Sequence, residues 1–202
     1  MQTPHIAIVH TTRFPRETFA EFERLVEAPQ LEFQVEERDE GGPFAGIEWL
    51  LPTAVILFLG KSYFDGFLKE MGKDHYALLK AAFKTVYAKL IGPASPEVKI
   101  ISTKGKSLEN HSYSLNYSVL AELGPNLRLK LLIQNGASQV EYERTISAFL
   151  EFASSFHAGT LDPSMTRELS KARVMGGTVL VAYDAESSQL EFIDPIPKAA
   201  NI

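Results

Sequence analysis

The most apolar run of the chain, residues 49–59, contains a proline at position 52, and this proline limits how the run can fold. In a continuous helix over 47–59, Pro52 would remove a backbone hydrogen bond and clash with the preceding turn. If the helix ends before it, residues 53–59 (TAVILFL) form a buried strand that is apolar on both faces, as in a central parallel strand. We favour the strand and keep the continuous helix as the alternative.

The segments before this run predict an α/β arrangement. Residues 5–10 have the composition of a strand, residues 16–28 have helical apolar spacing, and residues 31–38 alternate apolar and polar side chains. Two strands separated by a helix predict a βαβ unit with parallel strands. In such sheets, loops at the carboxyl ends of strands gather binding sites. Here the glycine-rich loop 41–46 follows the second strand.

The segments after the run contain helix and strand signals. Residues 61–71 predict a short helix that Gly72 ends, and Asp74 is expected to cap a longer helix that ends at residue 91. The segment 92–96 (GPASP) is the clearest boundary in the chain.

Beyond this boundary the patterns change to strands. Turn signals separate three apolar segments, which predict an antiparallel meander over residues 97–103, 111–123 and 127–134. Ser138 and Glu141 have the spacing of a capping box for a helix that Gly159 ends. Residues 178–183 and 189–193 predict a closing hairpin.

These elements predict an α/β chain, α+β overall. An N-terminal βαβ-type parallel sheet is followed by an antiparallel β-meander with one long helix and a C-terminal hairpin. We assign residues 1–91 to an α/β half and residues 97–202 to an antiparallel α+β half, and the two halves could equally form one continuous domain.

The composition excludes several kinds of site. With 202 residues, 45% hydrophobic and 22% charged, the chain can build an ordinary globular core. It has no cysteine, so disulfides, thiolate metal sites and a cysteine nucleophile are excluded. The first residues lack the basic start and long apolar core of a secretory signal, so we expect a cytoplasmic protein.

Charge is unevenly distributed. Residues 61–106 contain nine lysines and four acidic residues, which gives +5, whereas the remainder carries −10. A stretch of one sign can attract an anionic ligand, although a solvated lysine-rich helix face is the simpler interpretation. Because the chain is acidic overall, we expect no nucleic-acid binding. No basic residue lies between Arg38 and Lys61, so we expect no association with anionic lipid.

Specific catalytic motifs are absent from the sequence. It contains no dinucleotide fingerprint, phosphate-binding lysine loop, zinc-protease helix or nucleophile elbow. Its five histidines are scattered, without metal-ligand spacing. We therefore predict no metal and no cofactor requirement from the residues alone.

One cluster could still form a site. Tyr63, Phe67 and Glu70 are spaced i, i+4 and i+7 and would share one helix face. A carboxylate beside aromatic rings can hold a planar or cationic ring. The alternative is that the rings anchor the helix to the core while the charged residues stay in solvent.

The order of elements from His5 to Glu70 resembles a TIR (Toll/interleukin-1 receptor) domain. The matching segments are HIAIVH, FPRETFAEFERLVEA, LEFQVEERD, EGGPFAGIEW, AVILFLGKSYF and FDGFLKE. Enzymes of this family use a glutamate to break the nicotinamide–ribose bond of NAD. The resemblance implies that Glu70 is that catalytic glutamate, that Tyr63 or Phe67 stacks on a ring of the nucleotide, and that Lys73 attracts its pyrophosphate.

Two hypotheses about function follow. The first is a cytoplasmic α/β interaction or regulatory module without complete catalytic machinery, in which loop 41–46 and Trp49 dock a protein partner or a second copy of the chain. The alternative is a TIR-like enzyme that binds or cleaves NAD. The sequence leaves open whether the chain is an enzyme and whether a nucleotide is its ligand.

Overall fold

The computed structural model describes residues 4–39, 53–93, 95–96 and 112–195, without the side chains of residues 70–73. Its strands are β1 (Ile6–Thr11), β2 (Phe33–Arg38), β3 (Val55–Leu59), β4 (Tyr113–Gly124), β5 (Leu127–Gln134), β6 (Thr178–Asp184) and β7 (Gln189–Ile193). Its α-helices are α1 (Ala20–Val26), α2 (Leu68–Leu90), α3 (Gln139–Ala158) and α4 (Pro163–Lys171). A 3-10 turn (Arg16–Phe19) precedes α1, and a π-helical turn (Tyr63–Phe67) precedes α2.

The described strands form one mixed sheet in the order β2-β1-β3-β4-β5-β6-β7. Three pairs are parallel, namely β1–β2, β3–β4 and β5–β6. The pairs β1–β3, β4–β5 and β6–β7 are antiparallel. The prediction of an α/β fold is therefore confirmed, and both predicted halves contribute strands to the same sheet.

Strand β3 has the predicted position but a different direction. Val55–Leu59 is a strand in the interior of the sheet, so the continuous helix considered for residues 47–59 is wrong. The strand runs antiparallel to β1 and parallel to β4, whereas the predicted layout made all three N-terminal strands parallel. Its apolar character reflects burial by a neighbour on each side, which strands of either direction share. Pro52 itself lies outside the described residues.

The main core lies on one face of the sheet, beneath α1, α2 and α3. Phe22, Phe83 and Phe149, one from each helix, are at most 1% exposed and belong to the same apolar cluster as strand residues such as Leu131. The next residue of β5, Leu132, points to the opposite face, as strand geometry requires, and packs in a smaller cluster there. The sheet thus separates a helix-covered face from a second face.

The ends of α3 confirm the sequence signals. The Glu141 amide donates to the Ser138 hydroxyl oxygen at 3.3 Å, and the Ser138 amide donates to the Glu141 carboxylate at 2.8 Å. These two bonds are the predicted capping box. Gly159 ends the helix with a φ of 70°, a left-handed conformation that favours glycine.

The start of α2 differs from the prediction. Gly72 does not end a helix and Asp74 does not cap one, because α2 continues through both residues. A glycine inside a helix costs only about 1 kcal/mol relative to alanine. Burial of Leu79 and Phe83 on the core side of α2 can outweigh that cost. The predicted strand 97–103 lies outside the described residues, and α4 was not predicted.

Candidate functional site

Two of the predicted ligand-binding residues lie in the core. Tyr63 is 0% exposed and Phe67 is 4% exposed, and their rings stack on each other with centroids 5.8 Å apart. The Phe64 ring between them in sequence is buried as well. The aromatic face of this turn is therefore directed inwards, where both rings also pack against His75. The alternative interpretation, that these rings anchor the turn, describes their positions.

The other two predicted site residues are on α2, but only their backbone is described. Glu70 and Lys73 lie in the first turns of the helix, and their side chains are outside the described part of the structure. The catalytic role of Glu70 and the phosphate-binding role of Lys73 thus stay predictions. Trp49 and loop 41–46, the predicted docking element, also lie outside the described residues.

The direction of β3 places residue 53 and the π-helical turn at opposite ends of the sheet. The Thr11 amide, where β1 ends, donates to the Ala54 carbonyl oxygen at 2.9 Å. At the opposite end of the sheet, the Gly60 amide donates to the carbonyl oxygen of His5, just before β1 begins. Residue 53 is therefore at one end of β3, and the π-helical turn is at the other. From the sequence, the glycine-rich loop before residue 53 and this turn are assigned to the same site.

A buried histidine, His75, contacts this turn. His75 is 2% exposed, and its Nε2 donates to the Val26 carbonyl oxygen at 2.8 Å. Its Nδ1 lies 3.1 Å from the Tyr63 hydroxyl oxygen, within hydrogen-bond distance. These two contacts connect α1, α2 and the π-helical turn. Burial raises the pKa of Tyr63, so its hydroxyl keeps its proton.

The described residues form a cleft on the opposite side of α2, between α2 and α3. Its volume is about 320 Å³. Buried residues Phe83, Tyr142 and Ile146 lie at its base, and each is at most 2% exposed. Its walls combine small and charged side chains, namely Ala77, Lys80, Ala81 and Lys84 from α2 and Glu143 and Ser147 from α3. The cleft thus has an apolar base and a charged rim.

Hydrogen bonds to backbone carbonyls hold the two helices around this cleft. The Tyr142 hydroxyl of α3 donates to the Phe83 carbonyl oxygen of α2 at 3.0 Å. The Tyr87 hydroxyl of α2 donates to the Ala137 carbonyl oxygen, just before α3, at 2.9 Å. Small residues at Ala77 and Ala81, spaced i and i+4, leave room on the α2 side. The sequence contained this i, i+4 pair of alanines, but nothing in it indicated which helix they would face.

The charges at the rim are partly paired. Lys84 Nζ lies 2.8 Å from Glu143 Oε2, and the Gln139 side chain donates to Glu143 Oε1 at 3.0 Å. These bonds lower the pKa of the Glu143 carboxyl. Lys80 Nζ lies 4.9 Å from the centre of the Tyr76 ring, a cation–π distance. Burial and the nearby Glu151 raise the pKa of Tyr76 to about 12, so this ring stays neutral beneath the lysine.

Two polar groups of the cleft already have partners within the protein. The acidic group, Glu143, is engaged by a lysine, and the hydroxyl of Tyr142 is engaged by a carbonyl oxygen.

Within residues 4–39, 53–93, 95–96 and 112–195, no group of three or more histidine or acidic side chains is arranged to hold a metal ion. In the same residues, no helix is both long enough and apolar enough to cross a membrane.

Comparisons with known proteins give no relative. No protein-family model, no curated protein and no solved structure matches the chain. What the chain does has to be inferred from its own residues.

Proposed function

We propose that the chain is an interaction or regulatory module that binds a protein partner in the α2–α3 cleft. The observation that carries this proposal is the combination of a buried apolar base, Phe83, Tyr142 and Ile146, with charged side chains at the rim. Interfaces obtain most of their binding energy from one or a few side chains that enter such pockets, surrounded by a polar rim.

The rim suggests the chemistry of the partner. Lys84 is already paired with Glu143, whereas Lys80 lies over a neutral tyrosine ring and has no carboxylate partner among the described residues. A matching partner would place an apolar side chain on Ile146 and a carboxylate near Lys80, so that the first gains an apolar contact and the second an ion pair. Charge-assisted hydrogen bonds of this kind contribute mainly to specificity and orientation. The expected ligand is a segment with an apolar anchor next to an aspartate or glutamate.

The NAD-cleaving alternative has less support. It requires Tyr63 or Phe67 to stack on a nucleotide, and both rings are buried. It also rests on a layout in which the first three strands are parallel, whereas β3 is antiparallel to β1. We therefore leave NAD cleavage by Glu70 as a prediction of the resemblance and do not propose it as the function.

The experiment compares two tryptophan substitutions on the same helix. Ala81→Trp fills the cleft from the α2 wall, while Ala88→Trp places the same side chain at an exposed position outside it. Peptides are selected from a random display library against the wild-type chain, and their affinities for all three proteins are measured by fluorescence anisotropy. We expect selected peptides to share an apolar residue beside a carboxylate, and Ala81→Trp to weaken their binding by roughly tenfold or more.

Ala88→Trp is the control. It is expected to bind the peptides as the wild type does, and thermal unfolding should show that both variants are folded. If the selected peptides bind Ala81→Trp as tightly as the wild type, the cleft is not the binding site and the proposal fails.

A further inference from the structure

We infer that the edge strand β2 receives a basic, extended segment of a partner protein as an additional strand. This surface is separate from the α2–α3 cleft and does not depend on the function proposed for it. In the described part of the chain, β2 pairs with β1 on one side only, and it stands at the end of the strand order. Addition of a strand to such an edge is a recurrent mode of peptide recognition.

The hydrogen-bond register identifies the backbone groups that face outwards. The Ile6 amide donates to the Glu32 carbonyl oxygen at 3.2 Å. Alternate residues of a parallel strand bond to the same neighbour, so Glu32, Gln34 and Glu36 direct their backbone groups towards β1. The amides and carbonyls of Phe33, Val35 and Glu37 therefore point away from the sheet. These are the groups that an added strand would bond.

The surroundings of this edge are strongly acidic. Residues 16–39 contain eight acidic residues and three arginines, a balance of −5 that equals the net charge of the whole chain. Glu32, Glu36 and Glu37 are exposed on or beside β2. The nearest basic group on the strand, Arg38, is 3.8 Å from Glu36, which leaves Glu32 and Glu37 to act on a partner.

A groove beside the strand can hold alternate side chains of the added segment. A cavity of about 350 Å³ lies between α1 and β2. Its apolar lining includes Ala28, Leu31 and Phe33. Its charged lining is Glu23, Arg24 and Glu27, of which Glu23 pairs with Arg16 and Arg24 pairs with Glu21, so Glu27 is the carboxylate that faces a partner there. Because side chains of a strand alternate between faces, every second residue of a docked segment would point to the groove side of the sheet.

These features select one class of occupant. A lysine- or arginine-rich extended segment with interspersed apolar residues matches both the charge and the groove. An acidic segment, a nucleic acid or an anionic membrane would be repelled by the same carboxylates. A second copy of β2 would bring its own glutamates close to Glu36 and Glu37, which disfavours pairing of two such edges.

The test uses a substitution that removes one outward hydrogen-bond donor. Glu37→Pro lacks the backbone N–H that points away from β1, and proline is tolerated on edge strands in this orientation. Glu37→Gln removes the same charge and keeps the N–H, so it is the matched control. The probe is a fluorescent eight-residue peptide that alternates lysine and valine. A second peptide has the same charge, with proline in place of one central valine.

We expect the alternating peptide to bind Glu37→Gln more weakly than the wild type, because a carboxylate that attracts its lysines is lost. Glu37→Pro should weaken its binding by roughly tenfold or more relative to Glu37→Gln, because strand pairing is interrupted. The proline-containing peptide should bind all three proteins weakly. Circular dichroism and thermal unfolding check that Glu37→Pro keeps the fold.

Several outcomes would overturn the inference. Equal binding of the peptide to Glu37→Pro and Glu37→Gln would show attraction by charge alone, without strand addition. Equal affinity of the two peptides for the wild type would also show that charge, not strand pairing, holds them. Absence of binding at low ionic strength would show that the edge does not accept such a segment at all. The Ala81→Trp variant should bind the alternating peptide normally, which separates this surface from the cleft.

Discussion

Two histidine side chains in the interior join distant elements through both of their ring nitrogens. His75 contacts the Tyr63 hydroxyl and the Val26 carbonyl oxygen. The side chain of His157 is 3% exposed, and both of its ring nitrogens face acceptors. Nδ1 lies 3.0 Å from Asp65 Oδ1, and Nε2 lies 2.9 Å from the Glu122 carbonyl oxygen.

Two further side chains pack against this pair. Lys61 Nζ is 3.4 Å from the other oxygen of Asp65. The Phe64 ring stacks on the imidazole at 4.9 Å with an interplanar angle of 5°. His157 thus joins the end of α3 to β4 and to the π-helical turn.

Asp65→Asn should lower the free energy of unfolding by about 1–3 kcal/mol, since it removes the carboxylate that Lys61 and His157 both contact. Chemical denaturation of the variant and the wild type measures the difference. Equal stability of the two proteins would show that these contacts contribute nothing to folding.

Lys130 is a buried cation on the second face of the sheet. It is 4% exposed and lies in β5, between Leu120 of β4 and Leu180 of β6. Burial lowers the pKa of Lys130 from 10.5 to about 8. Between these values the unfolded chain binds more protons at this site than the folded chain, so stability rises with pH. Below pH 8 both states are protonated and the dependence ends.

We expect the free energy of unfolding to rise by roughly 2 kcal/mol between pH 8 and 10 because of Lys130. Urea denaturation at several pH values measures this rise, which Lys130→Met should abolish and the exposed Lys69→Met should retain. Above pH 10 the sign reverses, because burial raises the pKa of Tyr63 and Tyr142 and the unfolded tyrosines lose their protons first. A wild type and a Lys130→Met variant with the same pH profile would refute the shift.

At the scale of elements, the connection from β3 to the π-helical turn depends on a close backbone approach. A Cβ atom at Gly60 would lie 2.5 Å from the Pro4 carbonyl oxygen, so the backbone would have to move. Gly66, six residues later in the turn, has no atom within 4 Å of the corresponding position. The two glycines are therefore a natural pair for comparison.

Gly60→Ala is expected to lower the free energy of unfolding by about 1–3 kcal/mol through this clash. Gly66→Ala should leave it unchanged or raise it by up to about 1 kcal/mol, because alanine is the better helix former. Chemical denaturation of both variants measures the difference. Equal effects of the two substitutions would contradict the assignment of a close contact at Gly60.

Elements with local signals could be predicted from the sequence, whereas those that depend on distant partners could not. The capping box at Ser138 and the glycine that ends α3 involve residues a few positions apart, and both are confirmed. The contact between Asp65 and His157 joins residues that are 92 positions apart, which no local pattern records. The continuity of α2 through Gly72 depends on packing that outweighs a weak preference.

At the scale of the whole molecule, the sequence predicted the α/β class but not the direction of β3. Alternating burial of Val55, Leu57 and Leu59 has the same appearance whichever way a strand runs. The direction decides where the following turn lies. The turn at Tyr63 therefore lies at the end of the sheet where β1 begins, whereas the predicted parallel layout places it where β1 ends.

The position of β3 between β1 and β4 also has a consequence for synthesis of the chain on the ribosome. While only the first ninety or so residues have emerged, β3 has its earlier neighbour but not its later one. The other edge of β3 gains its partner only when β4 has been made. The nascent chain therefore passes through an interval in which a chaperone that masks extended apolar segments would protect it from aggregation.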